Sequence, residues 1–134
     1  MGVEQFQDLI AWQKGIACVT AVYEMTQNFP REEIYGLTSQ VRRAAVSIPS
    51  DVAEGQGRAT SGEFIQFLRH ARGSLYEVET QIEGAGCLGC LSTEPRNSTV
   101  KRVSELGRIL NGLITSLQKR RRQTTGHWAL ATDH

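Results

Sequence analysis

The chain has 134 residues, of which 40% are hydrophobic and 22% charged, and its formal net charge is +1. This balance is typical of one soluble globular domain and excludes an intrinsically disordered chain. No stretch has the ~18 consecutive apolar residues of a membrane-spanning helix, so we expect no membrane partner.

The first periodic segment predicts a helix over about residues 8–28, with Asp8 capping its start and Phe29-Pro30 ending it. Apolar residues repeat at three- and four-residue spacing in one stripe: Leu9, Trp12, Ile16, Val19 and Tyr23. A second stripe lies beside it: Ala11, Cys18, Val22, Met25 and Phe29. This apolar face is wider than one bundle seam needs. Two interpretations stay open: a well-buried helix, or a helix that also meets another subunit.

The second segment, about residues 35–54, has an apolar stripe that spans a proline: Leu37, Val41, Ala44, Ile48 and Val52. Pro49 predicts a kink or break near residues 46–48. Gly55-Gln56-Gly57 predicts the end of the helix. The polar residues of this segment either line a site or satisfy the backbone groups that Pro49 leaves free, and Ser50-Asp51 could cap a restarted helix.

The third and fourth segments complete the set. Thr60 and Glu63 form a capping box, and a heptad stripe follows: Phe64, Leu68, Ala71, Leu75, Val78, Ile82 and Ala85. Glycines after residue 83 predict a frayed end.

The fourth helix starts near Pro95 and ends near Arg122, with another apolar stripe: Val103, Leu106, Ile109, Leu110, Leu113, Ile114 and Leu117.

These patterns predict an all-α fold, an antiparallel up-down-up-down four-helix bundle with helix 2 kinked near Pro49. Short connections favour antiparallel neighbours. We expect one domain over residues 1–122 and a mobile tail over residues 123–134. In this arrangement the Gly55–Thr60 loop, the start of helix 1 and the end of helix 4 share one pole.

Four stretches carry a resemblance to a known family: Phe6–Lys14, Tyr35–Gly55, Glu63–Leu68 and Gly73–Gln81. They resemble the bacterial four-helix bundle family whose founding members are encoded by intervening sequences in 23S ribosomal RNA genes. The match covers roughly residues 6–120 and includes exposed-type residues that no helix pattern requires. Cys87, Cys90, the loop over residues 91–97 and the tail depart from the family pattern.

The resemblance implies a homo-oligomer, a ring-like homopentamer, and a relationship to the accessory proteins of diversity-generating retroelements. Those proteins bind a reverse transcriptase and its RNA. For this chain the resemblance therefore implies three partners: further copies of the same chain, RNA and a reverse transcriptase. It implies no enzymatic activity.

Basic residues are concentrated in the fourth helix. Residues 101–122 contain seven Lys and Arg and one acid, Glu105, which gives a net charge of +6. Such residues either form a solvated helix end that complements the helix dipole or bind phosphates. In a ring, repetition would turn each cluster into a positive belt. The predicted nucleic-acid-binding residues are Arg58, Arg69, Lys101, Arg108, Lys119, Arg120, Arg121 and Arg122.

A second charged pair, Arg42-Arg43, is expected to form ion pairs with Glu54, Glu77 or Glu79 of a neighbouring helix or subunit. Residues 74–94 contain no Lys or Arg, so opposite charges lie in different regions, which suits a subunit contact. The predicted oligomer interface contains Trp12, Tyr23, Arg42, Arg43 and Glu77.

Enzyme chemistry has little support in the sequence. Cys87 and Cys90 form a lone CxxC without two further zinc ligands nearby, so no metal and no cofactor are expected. The three cysteines, an odd number without a signal peptide, favour reduced thiols and a cytoplasmic location. No nucleophile–base–orienter set is present. A pocket with two inward carboxylates, for example Glu54 and Glu77, would revive a catalytic role.

We therefore expect a non-enzymatic homo-oligomer that binds RNA through basic patches, with little reading of bases. The alternative is a protein-interaction scaffold, an accessory factor that binds a partner such as a reverse transcriptase without direct RNA contact.

Overall fold

The computed structural model describes the backbone of residues 5–132 and the side chains of residues 5–123. It contains four α-helices: α1 (Ile10–Thr26), α2 (Ser39–Gln56), α3 (Ser61–Cys87) and α4 (Thr93–Thr132). Short 3-10 turns at Phe6–Asp8 and Arg31–Glu33 and a π-turn at Ile34–Thr38 complete the order, and residues 5–132 include no strand. The prediction of an all-α protein with four helices is confirmed.

Each helix packs against two others: α1 and α3 both contact α2 and α4. Gly15 of α1 lies against Pro49 of α2, whereas Thr26 at the end of α1 bonds to Arg42 near the start of α2. Helices α3 and α4 are antiparallel in the same way: Glu83, late in α3, is bonded to Arg96, early in α4, and Arg72, earlier in α3, is bonded to Asn111, later in α4. The starts and ends of neighbouring helices therefore lie together, which positions the residues discussed below.

The core confirms most of the predicted stripes. Of the seven heptad positions of α3, all are buried except Phe64, which is half-buried beside a fully buried Ile65. In α4, Leu113 and Ile109 are half-buried, while the rest of the predicted stripe is buried. Burying these side chains supplies the main driving force for folding, at about 25 cal/mol per Å² of apolar surface.

In α1 the structure shows which of the two stripes faces the core. The second stripe, from Ala11 to Phe29, is buried in the core. The first stripe is only partly covered: Trp12 and Val19 are half-buried, and Ile16 and Tyr23 are exposed. The wide apolar face of α1 is therefore left open along one side by the chain's own contacts.

The start of α1 also corrects the sequence interpretation. Asp8 does not cap the helix; it lies in the preceding 3-10 turn, and Leu9 occupies the N-cap position without a side-chain cap. The Phe6 ring meets the Trp12 ring edge-on at 5.5 Å between centroids, and the Gln13 amide donates to the Gln7 carbonyl at 2.9 Å. These contacts fix the turn and shift the helix start two residues beyond Asp8.

Pro49 lies inside an uninterrupted α2, so the predicted break is wrong, and the kink stays a prediction. The Ser47 hydroxyl donates to the Ala44 carbonyl at 2.8 Å, and the Ser50 hydroxyl donates to the Val46 carbonyl at 3.0 Å. Because the helix does not restart, Ser50 and Asp51 cap nothing. The predicted stop signal is confirmed: Gly55 is buried within the last turn, the helix ends at Gln56 and Gly57 is its C-cap.

Both ends of α3 have ordered caps. The Glu63 N–H donates to the Thr60 hydroxyl oxygen at 3.1 Å, which confirms Thr60 as the N-cap. The predicted fraying stays a prediction: the helix continues through Gly84 and Gly86 to Cys87, and Gly89, at φ 75°, is the left-handed residue of a Schellman cap. In this cap the Cys90 N–H donates to the Ala85 carbonyl at 2.9 Å.

Helix α4 extends ten residues beyond the predicted end at Arg122. Residues 123–132 contain no proline, and one glycine costs a helix only about 1 kcal/mol, so nothing local ends it. The predicted mobility of the tail stays a prediction, and the side chains after Gln123 lie outside the described residues. None of the helices over residues 5–132 is long and apolar enough to cross a membrane.

Candidate nucleic-acid interface

Three of the predicted basic residues form one straight row on α4. Lys101, Arg108 and Lys119 are separated by 7 and 11 residues. At about 100° and 1.5 Å per residue, they project within about 20° of one another over roughly 27 Å. All three are exposed, and the row faces away from the buried Val103 and Leu106. We call these three residues the α4 ridge.

The surface around the α4 ridge carries no unpaired acid among the described residues of α4 between positions 101 and 122. Ser104 and Thr115, which are exposed along the row, are neutral hydrogen-bonding side chains. Glu105, the acid in this stretch, pairs with Lys14 of α1 at 3.3 Å. Within residues 101–122 the one carboxylate near the ridge is thus paired, whereas the exposed Glu94, seven residues before Lys101, projects within about 20° of the row and offsets part of its positive potential at that end.

Sequence reasoning missed Arg72, which borders the same surface. Its guanidinium Nη1 donates to the Asn111 side-chain oxygen at 2.9 Å, so α3 contributes a cation beside the ridge. Arg69, which was predicted, lies instead on the outer side of α3 in a shallow groove shared with His70 and Glu77. It is eight residues into α3, about 12 Å from the helix start, and not at the pole with Arg58.

The remaining predicted cations meet at the pole where α2 ends and α3 begins. Arg58 pairs with Glu54 at 3.4 Å and lies over the Phe67 ring at 4.6 Å. Arg120 lines a cleft at this pole, and the Arg121 guanidinium lies beside Gly62. Lys119, Arg120, Arg121 and Arg122 are all exposed. The pole therefore lies at the end of α4 where the α4 ridge finishes, on a different side of the helix from the row.

Within the chain Arg42 forms none of the expected ion pairs, and a pair with another subunit stays a prediction. Arg42 lies over the Tyr23 ring at 4.5 Å from its centroid, and its Nε donates to the Thr26 hydroxyl oxygen at 2.8 Å. The end of α1 attracts this cation because unpaired carbonyls and the helix dipole place negative charge there. Glu54, one of the three candidate partners, pairs instead with Arg58.

Beside Arg42, the outer surfaces of α1 and α2 enclose an open groove of about 830 Å³. Tyr35, at 95% exposed, projects from the π-turn at its rim, and Tyr23, Ile34 and Val46 expose further apolar surface. The Thr38 hydroxyl on its wall is buried without a described hydrogen-bond partner. We call this surface, lined by Tyr23, Ile34, Tyr35, Arg43 and Val46, the α1–α2 groove.

On the other side of α2, Arg43 and Glu77 line a narrower polar slot. The Ser47 and Ser74 hydroxyl oxygens are 2.6 Å apart at its base. Because Ser47 donates to the Ala44 carbonyl, the Ser74 hydroxyl donates to Ser47. The predicted interface residues Tyr23, Arg42 and Arg43 thus share one surface, whereas Trp12 packs against Phe6 and Glu77 faces the slot.

Reactive groups do not converge on a site in the described part of the chain. Burial raises the pKa of the Cys18 thiol to about 11, against a smaller opposite effect of Arg102, so the thiol stays protonated. Burial also raises the pKa of Asp51; the charge of His70 opposes this effect and that of Glu54 adds to it. Cys87 is exposed and Cys90 half-buried. Among the described side chains, no three His, Cys, Asp or Glu residues are grouped to hold a metal ion.

Comparison with known proteins gives two findings. The family model of the 23S rRNA-intervening sequence protein matches residues 7–112. A crystal structure of a protein with unknown function from the S23 ribosomal protein family of Bacteroides thetaiotaomicron VPI-5482 superposes with a TM-score of 0.73. That likeness has 18% sequence identity and covers 79% of this chain and 96% of the other, so it concerns the fold alone.

No curated protein sequence matches this chain significantly. The family match spans all of α1, α2 and α3 and the first half of α4, including Lys101 and Arg108 of the ridge. The chain therefore belongs to the 23S rRNA-intervening sequence protein family.

Proposed function

We propose that this protein is a non-enzymatic, homo-oligomeric RNA-binding bundle whose α4 ridge contacts the phosphate backbone. The observation that carries the proposal is the row of Lys101, Arg108 and Lys119, exposed on one line, with Glu105, the one acid of residues 101–122, paired with Lys14. Cations in a straight row can follow a strand of phosphates, and their contacts carry no base information.

The electrostatics of such a row are measurable. Each phosphate contact releases condensed counterions, so the logarithm of the binding constant falls with that of the salt concentration by about 0.7–0.9 per contact. Three contacts from each subunit give modest affinity alone. Repetition of the α4 ridge in an oligomer multiplies the number of contacts without new chemistry.

Self-association is part of the proposal because the bundle leaves apolar surface uncovered. Ile16 and Tyr23 of α1 and Val46 of α2 are exposed, and Tyr35 projects beside them. Contiguous apolar surface of this kind favours a protein contact. We place the subunit interface on this face, at the α1–α2 groove; the number of five subunits is an expectation from the family resemblance.

A second candidate function is a scaffold that binds a partner protein, with a reverse transcriptase as the example that the resemblance implies. The observation that favours it is the same α1–α2 groove, which is apolar, open and edged by Arg43. If a different protein occupies the groove, RNA contact is indirect and does not depend on the α4 ridge.

The experiment compares two variants that each lose two exposed positive charges. The ridge variant carries Lys101→Gln and Arg108→Gln, and the control carries Arg31→Gln and Arg102→Gln. Arg102 follows Lys101 in sequence but projects about 100° away from it. Binding of a structured RNA is measured between ~50 and ~200 mM salt.

Direct phosphate binding predicts a salt slope that is shallower by about 1.4–1.8 in the ridge variant and unchanged in the control. Equal changes in both variants would mean that net charge, and not the row, governs binding. If the wild-type protein binds no RNA at ~50 mM salt, the RNA proposal fails and the scaffold becomes the candidate to pursue.

A further inference from the structure

We infer that the cleft at the pole of the bundle binds a single unpaired nucleotide, at the end of the α4 ridge. The inference rests on the proposed function, because it names the kind of RNA that the ridge would accompany. The cleft has a volume of about 510 Å³, which lies within the range of small-molecule sites. We call it the pole cleft.

The floor of the pole cleft is apolar. Phe64, Leu113 and Leu117 line it, from α3 and α4. Phe64 is half-buried, so part of its surface remains available to a ligand. A planar aromatic base can stack on such a ring or pack on the leucines, because every base has an apolar face.

The rim of the pole cleft is polar and carries two arginines, of which Arg58 is paired with Glu54. Arg58 and Arg120 line it with Gln56, whose amide can both donate to and accept from the edge of a base. Arg58 is held over the Phe67 ring, so its guanidinium is oriented before a ligand arrives. A nucleotide joins an apolar ring to an anionic phosphate, which matches this floor and rim.

The position of the pole cleft relates it to the α4 ridge. Lys119 is the last residue of the ridge, and Arg120, its neighbour in sequence, lines the cleft. Arg120 projects about 100° away from Lys119, so a backbone that follows the ridge enters the cleft by turning around α4 beyond Lys119. Bases inside a duplex are stacked and paired and cannot enter it, whereas a bulged, looped or terminal nucleotide can. The ligand class is thus an RNA helix with an unpaired nucleotide in a bulge, in a loop or at an end.

The test uses two RNA probes: a blunt 12-base-pair duplex and the same duplex with a three-nucleotide single-stranded overhang. Two variants of the full chain remove an aromatic ring from α3. Phe64→Leu acts in the pole cleft, and Tyr76→Leu, at an exposed tyrosine outside it, is the matched control.

We expect the wild-type protein to prefer the overhang probe by about tenfold, in line with one stacked base. Phe64→Leu should reduce this preference to less than about threefold and leave the salt slope unchanged, while Tyr76→Leu keeps the preference. Equal binding of both probes by the wild-type protein would overturn the inference, as would equal losses in the two variants.

Two further measurements keep the inference testable if Phe64→Leu does not fold. Gln56→Ala changes only the rim and should also weaken the preference. A 4-thiouridine in the overhang should crosslink to residues 56–64 or 113–120, and crosslinks confined to other segments would contradict the cleft.

The two proposals can fail separately. If the ridge variant binds both probes more weakly by the same factor but keeps the overhang preference, ridge and cleft act independently and both stand. If the ridge variant binds like the wild-type protein while the overhang preference is present and depends on Phe64, the ridge proposal fails and the cleft stands. If no RNA binds, titration with uridine monophosphate decides: backbone amide shifts at Gln56, Thr60 and Ser61 support the cleft, and their absence overturns it.

Discussion

Arg42 and Tyr23 join the start of α2 to the end of α1 through one guanidinium. The Arg42 Cζ atom lies 4.5 Å from the centre of the Tyr23 ring. The same guanidinium donates to the Thr26 hydroxyl oxygen at 2.8 Å and approaches the Tyr23 carbonyl at 3.5 Å. Because the Thr26 hydroxyl itself donates to the Val22 carbonyl, the arginine completes a local network at the carbonyl end of α1.

This network predicts that Arg42→Lys destabilises the bundle although the charge is conserved. A lysine cannot both stack on the ring and donate from a planar group. A charged hydrogen bond contributes about 1.5–3 kcal/mol and an exposed cation–π contact about 0.5–1 kcal/mol, of which lysine keeps a part. We expect a loss of about 1–2 kcal/mol in the free energy of unfolding, measured with urea.

Arg43→Lys is the control, because Arg43 is exposed at the edge of the groove and makes none of these contacts. It should change the free energy of unfolding by less than about 0.5 kcal/mol. Equal effects of the two substitutions would show that the Arg42 contacts contribute little.

The stripes show which features of the fold were predictable. The heptad of α3 identified its buried face because apolar residues occupy one narrow stripe. In α1 two stripes are apolar, so the sequence pattern could not tell which one faces the core. The end of α4 was missed because the absence of an apolar pattern is weak evidence against a helix without proline.

The candidate site was predictable to a similar extent. The excess of cations in α4 follows from composition, and the spacing of 7 and 11 residues would have identified Lys101, Arg108 and Lys119 as one row. The neutralisation of Glu105 by Lys14 and the position of Arg72 beside Asn111 depend on tertiary packing. Local pattern carries no information on which distant side chains meet.

Two glycines in neighbouring helices are predicted to respond to alanine with opposite signs. A Cβ on Gly55 would lie 2.7 Å from the Phe67 Cβ and 2.9 Å from the Phe64 Cδ1, so α2 and α3 would have to separate. We expect Gly55→Ala to cost roughly 1–3 kcal/mol, as overpacking does. Gly73 meets nothing within 4 Å, so Gly73→Ala should stabilise the helix by up to about 1 kcal/mol. Urea unfolding of both variants measures the difference, and a stabilising Gly55→Ala would contradict the tight contact.

The buried Cys18 predicts a loss of stability at high pH. Its pKa is raised from 9.0 to about 11 because the thiol is 0% exposed. Between these values the unfolded chain releases the proton and the folded chain keeps it. The unfolded state therefore binds fewer protons, and stability falls as the pH rises through this window, by up to about 1.4 kcal/mol per pH unit.

The comparison is with Cys18→Val, which keeps an apolar side chain of similar size and removes the titrating group. The free energy of unfolding, measured from pH 8 to 10.5 under reducing conditions, should fall more steeply for the wild-type protein above pH 9. Parallel curves would show that the folded-state pKa of Cys18 is not raised.

The α1–α2 groove predicts how self-association responds to charge. Val46 is 40% exposed in the groove, beside Tyr23 and Tyr35. If this face forms the proposed subunit interface, Val46→Glu places a carboxylate in a contact that must exclude water, and burying an unpaired charge costs several kcal/mol. We expect the variant to sediment as a smaller species than the wild-type protein at equal concentration, with little change in its thermal unfolding as a monomeric bundle.

Leu88→Glu is the matched control, since Leu88 is also an exposed apolar residue but lies at the end of α3, outside the groove. The Leu88→Glu variant should sediment like the wild-type protein. If Val46→Glu also leaves it unchanged while the wild-type protein is an oligomer, the interface lies on another face, and the groove is available to a different protein. A monomeric wild-type protein would refute the proposed self-association itself, because the apolar face would then remain open in solution at the concentrations tested.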